Sequence, residues 1–142
     1  MTPEQDVAVH LDSLVGSLTL GTNLFTGPVR SPSPRQGVPG SVPSEAVFCI
    51  GTGGFDDVPF IDGGAKGRQA RPTVQLTIRS DRKDYDGGLT LAHGVFTAID
   101  KEPPTGYAEV RANGSQPGYV GEDDQEHHIW TVNIVLDKCE VV

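Results

Sequence analysis

Pro72-Thr73-Val74-Gln75-Leu76-Thr77-Ile78-Arg79 alternates strictly from Thr73 onward, with Val74, Leu76 and Ile78 on one side and Thr73, Gln75, Thr77 and Arg79 on the other. A period of two is that of a β-strand with one apolar and one polar face. Beyond the charged turn 81–84 the period changes. Tyr85, Leu89, Ala92, Phe96 and Ile99 recur at the spacing of one helical stripe. Asp84 is placed to accept a hydrogen bond from the first turn of that helix, and Pro103-Pro104 lacks the N–H donors to prolong it. Gly87, Gly88 and Gly94 work against the helix through their backbone freedom. Alternation resumes from Tyr107 to Ala112, so the unit reads strand, helix, strand, with the helix lying across the apolar face of a sheet.

On the N-terminal side, Thr2-Pro3-Glu4-Gln5 has the form of a helix start, with Thr2 as cap, proline in the first turn and Gln5 closing a capping box. Val7, Leu11, Leu14, Val15 and Leu18 form its apolar stripe, His10 falls off that stripe as a surface residue, and Gly21 is the expected stop. Asn23 to Phe25 can begin a short strand. The segment 27–44, with five prolines and three glycines, reads as a long loop made locally basic by Arg30 and Arg35. Glu45 to Gly51 is a strand apolar on both faces, hence covered on both. The glycine-rich segment 51–67 reads as a second loop. Its Gly51-Thr52-Gly53-Gly54 lacks the Gly-Lys-Ser/Thr of a phosphate-binding loop, and Phe55, Asp56, Asp57 and Pro59 do not open a basic helix, so it is taken as a turn. On the C-terminal side, Ile129 to Leu136 is a long strand that pairs with Tyr107 to Ala112. Between them, 113–128 is a polar arm expected to reach outward to another chain or to solvent.

The chain's 142 residues suffice for one domain, with roughly two-thirds of the unfolded surface buried. Eleven Lys and Arg against nineteen Asp and Glu give a net charge of −8, which disfavours nonspecific binding to phosphate backbones or anionic membranes. No apolar run is long enough to cross a bilayer, and the N-terminus lacks the pattern of a signal peptide, so a soluble protein made in the cytosol is expected. Cys49 and Cys139 lie in separate strands without ligand spacing, and both read as buried free thiols.

The dense set of candidate ligands or acid–base groups is Glu122, Asp123, Asp124, Glu126, His127 and His128. Adjacent strand residues point to opposite faces, so the two histidines are poorly placed to share an ion, and a solvated acidic tip is the simpler reading. No G-x-S-x-G elbow occurs. Trp130 shares a face with Val132, Ile134 and Leu136 and reads as a core anchor, not a base-stacking platform. The expected fold class is therefore a single-domain α+β fold, a mainly antiparallel sheet with two packed helices and long loops, and without a catalytic, cofactor or metal set.

This order of parts, with the segments Pro72 to Arg79 (PTVQLTIR), Gln116 to Gly121 (QPGYVG) and Ile129 to Ile134 (IWTVNI), resembles the tail terminator and minor capsid proteins of long-tailed bacteriophages over most of the chain. The resemblance implies a virion protein of the tail–neck junction, assembled in the host cytoplasm. It implies a homo-oligomer, a ring of six subunits, that caps the tail tube and joins it to the neck or head-closure protein. DNA would pass through its lumen without specific binding, and no cofactor is implied. The loop 27–44 is longer than in the simplest members. With such a ring, the expected contact residues are Arg30 and Arg35 in that loop and Glu122, Asp123, Asp124 and Glu126 in the arm. Two alternatives stand beside it: a head-completion or neck component, and, from another class, a small metal-dependent hydrolase built on the acid–histidine cluster.

Overall fold

The computed structural model describes residues 2–33, 41–62 and 65–141, with the backbone alone for 56–62, 65–68, 101 and 139–141. Among the described residues the elements are α1 (Pro3–Leu14), β1 (Leu24–Thr26), β2 (Ala46–Asp62), β3 (Ala65–Arg82), α2 (Tyr85–Lys101), β4 (Glu109–Ala112), β5 (Gly118–Glu122) and β6 (His127–Val141). They form one sheet in the order β1-β2-β3-β6-β4, with β5 also on β6. Only β1 on β2 is parallel; the other pairs are antiparallel. The α+β class, the two helices and the antiparallel-dominated sheet are as the sequence predicts.

Both helices cover one face of this sheet. Val74, Leu76 and Ile78 of β3 register against Ile134, Val132 and Trp130 of β6, and all six are buried. Val7, Ala8 and Leu11 of α1 and Ala92, Val95 and Ile99 of α2 close the same core over Val47 and Cys49 of β2. Burying each large aliphatic side chain contributes about 1.5–3 kcal/mol, so this single layer dominates the stability. Burial also pushes the Cys49 thiol up to about 12, helped by the Glu4 carboxylate, which makes it inert as a nucleophile. The Cys139 side chain lies outside the described residues.

Three sequence expectations are corrected. α1 stops at Leu14, about two turns short of the expected Gly21: the Val15 N–H still donates to the Leu11 carbonyl, but Leu14 is exposed and Leu18 enters the core from a turn. The stripe of α2 is displaced in part: Ala92 and Ile99 are buried and Leu89 and Phe96 pack partly buried against the core as expected, but Val95 is fully buried beside them and Tyr85 is exposed at the helix start. Gly88 is the point of closest approach. A Cβ there would lie 2.5 Å from both the Ser80 Cβ and the Trp130 ring, so the glycine lets the helix backbone settle directly on the sheet. Asp84 caps α2 as expected, accepting from the Gly87 N–H at 3.0 Å.

The largest correction concerns the expected loop 51–67, of which 51–62 and 65–67 are strand, while 63 and 64 lie outside the described residues. β2 and β3 stay paired from Ala46↔Arg79 out to Asp62↔Ala65, and β6 extends the ladder along β3 to Gly67↔Val141. Gly53 and Gly54, at φ of +91° and +145°, fall in a register shift between Gly51 and Gly54, and a second shift follows between Phe55 and Val58. A bulge consumes glycine without ending the strand.

Candidate subunit-contact surfaces

Among the described residues, the sheet's other face carries a buried cluster at one end. Phe25, Val42, Ala46 and Phe48 form a small second core there, with the Phe25 and Phe48 rings stacked at 5.6 Å. This is the double coverage expected for the strand beginning at Glu45. Arg79 organises it. Predicted on the polar face of β3, it does project there, yet it is only 1% exposed. Its Nε donates to the Ser44 carbonyl at 2.7 Å, Nη2 to that of Pro43 at 2.8 Å, and Nη1 to that of Arg30. The guanidinium also lies 5.2 Å from the Phe48 ring centroid. Burial lowers its pKa, and Asp123 opposes that shift. One buried cation thus ties both described ends of the proline-rich loop to the sheet. Alternation alone gave no signal of this, since an arginine on a polar strand face normally reads as solvated.

Arg30 itself is exposed, its guanidinium 4.7 Å from the Phe25 centroid. It borders a groove of about 320 Å³ along the β1 edge, shared with Val9, Leu20, Leu24 and Phe25. Arg35 lies outside the described residues.

Glu122 ends the strand at the opposite edge of the sheet, whereas Asp123, Asp124 and Glu126 lie in the turn that follows, beside Arg82 and Ser44, and these residues have different roles. The arm is strand over Gly118–Glu122, folded back along β6. Asp123 is a turn residue: its Oδ1 accepts from the Gln125 and His127 N–H groups, each at 2.9 Å, and its carboxylate holds His127 Nδ1 at 3.0 Å. Burial pushes the Asp123 pKa upward, but those hydrogen bonds outweigh it and the net shift is downward. Glu126 pairs with Arg82 at 3.2 Å and Lys83 at 3.4 Å, while its carbonyl accepts from the Lys83 N–H. Glu126 and Lys83 both adopt positive φ, so the two facing turns are locked together. Glu122 is exposed, with Oε1 3.7 Å from His128 Nε2. Asp124 is exposed and lines a cleft with Pro32, Ser44, Arg82, Gln125 and His127. The acidic turn and the described ends of the proline-rich loop therefore meet within one protomer.

His127 and His128 diverge, as strand geometry requires. His127 is 3% exposed against Asp123, whereas His128 bonds the Tyr119 hydroxyl at 2.8 Å and lies among Tyr85, Tyr119 and Trp130. The six candidate ligands do not converge. Instead, among the described residues, carboxylate oxygens of Glu45, Asp81 and Asp84 come within 4.8 Å of one another, a grouping the sequence reading missed because Glu45 is remote in the chain. Burial and the neighbouring Asp81 and Asp84 raise the Glu45 pKa.

No protein-family model matches the chain. No curated protein sequence matches it either. Among solved structures, the chain is similar to one in the virion of a native gene transfer agent particle. The two are 13% identical, with a TM-score of 0.51, and the likeness covers 99% of this chain and 95% of the other. At that identity the likeness is one of fold, and it extends over both chains almost end to end.

Proposed function

We propose that this chain is a structural virion protein, a single tail-terminator-like unit that forms a ring at the end of a tail tube. The observation that carries the reading is the end-to-end fold likeness to a chain of a gene transfer agent virion. The likeness spans 99% of this chain and 95% of the other, so it is not confined to one part of either. In this reading the ring is a homohexamer that joins the tail tube to the neck or head-closure protein at the tail–neck junction. Its work is binding, without catalysis, cofactor or metal. The division of the acid–histidine cluster between opposite faces argues against the hydrolase alternative, since the groups that would share an ion are committed to separate partners. A net charge of −8 suits a lumen through which DNA slides without adhering.

Removing the gene from a genome that encodes the particle tests this. The expected result is filled heads and tail tubes that remain unjoined, with tubes of uncontrolled length, restored by supplying the protein in trans. Normal tails on heads that leak DNA would instead favour the head-completion or neck reading. Intact, infectious particles would refute both.

A further inference from the structure

Two groups of exposed apolar side chains stand at opposite edges of the sheet. At one edge, Val9 and Leu20, 44% and 41% exposed, flank the groove floored by buried Leu24 and Phe25, and Arg30 stands at its rim. At the other edge lies β5, whose register along β6 shifts between Tyr119 and Gly121. A bulge of this kind turns a side chain away from the ladder. Here the residue displaced is Val120, at 65% the most exposed of the large apolar residues described, with half-exposed Tyr119 before it and the exposed carboxylate of Glu122 beyond it. One edge therefore presents an apolar concavity with a cation, and the other an apolar knob with an anion.

We propose that a second copy of this chain docks head-to-tail through these edges, the Val120 knob entering the groove between Val9 and Leu20 while Glu122 meets Arg30. This rests on the ring reading above and supplies its contact surfaces. Because the two patches are different surfaces at opposite edges, the contact is heterologous and each copy leaves one patch free for the next, the condition for a closed ring. The apolar knob gives affinity and the charge pair gives register. Arg30 and Glu122 are thereby contact residues, whereas Asp123 and Glu126 shape the turn that presents β5.

Two full-length variants, Leu20→Cys and Val120→Cys, test the docking, with the parent chain as the control for the native thiols. Mixed under mild oxidation they should give a cross-linked pair that neither forms alone. The chain carrying both substitutions should give a ladder that ends at the ring. Separately, Arg30→Glu and Glu122→Arg should each weaken association by about tenfold or more, and their combination should restore it. Assembly without cross-link or charge rescue would overturn this interface and leave the ring reading standing. Capture of a tail-tube protein at Val120 in place of a second copy would overturn it equally. A parent chain that stays monomeric at every concentration would overturn both.

Discussion

Arg79 shows how much one side chain can determine. With three carbonyl acceptors on the proline-rich loop and a ring beneath it, its removal strands those carbonyls in a buried site. Arg79→Ala is expected to cost about 3 kcal/mol or more in denaturant melts, and Arg79→Lys should recover only part of this because an ammonium lacks the planar fork. Melts compared at equal protein concentration exclude a contribution from assembly, and a loss near zero would mean that the loop is held otherwise. Glu45 makes a second prediction. Its pKa is raised above the ordinary 4.5, first by burial and then by Asp81 and Asp84, so the fold prefers it protonated and loses stability as pH rises through the folded value. Glu45→Gln should accordingly raise Tm at pH 7 and leave it nearly unchanged near pH 4. An equal effect at both would mean that ionisation is not the cause. Neither role was legible in the sequence, because Arg79 meets residues 30, 43 and 44 and Glu45 meets residues 81 and 84 only once the sheet is formed.

At the scale of elements, periodicity identified the sheet core and both helices but mistook how they meet. Val74, Leu76 and Ile78 are buried as their alternation predicts, and the Asp84 cap stands where its spacing places it. In α2 the expected stripe omits Gly88, which reads as a defect in sequence and is the point where the helix touches Ser80 and Trp130. Gly88→Ala should lift the helix from Ser80 and Trp130 and cost about 1–3 kcal/mol, although the same change favours an isolated helix. Gly94, with open space at its Cβ position, is the control: Gly94→Ala should be neutral or stabilising. A Gly88→Ala variant as stable as the parent would show that the helix rides higher on the sheet than described. The segment 51–67 was illegible for a related reason. Glycine signals a turn locally, and only the partner strand converts it into a bulge.

For the whole molecule, the two loops that suggested contact arms have different fates. The described ends of the proline-rich loop are fastened by Arg79, and Gly118–Glu122 of the acidic arm is an edge strand, so the contacts we propose lie at the edges of the sheet. In the proposed ring the groove beside Arg30 and the Val120 knob beside Glu122 face one another between copies, a pairing that loop charge in the sequence can suggest but not locate. Asp123 and Glu126, grouped in sequence with Glu122 and Asp124, belong to the fold of the turn, so altering all the acids together would confuse unfolding with loss of contact. The most direct measurement is the mass of the parent protein by native mass spectrometry, supported by sedimentation velocity over rising concentration. The account predicts a closed species of six chains populated at the expense of monomer, without larger open polymers. A chain that remains monomeric throughout, or that stops at a dimer, would contradict it.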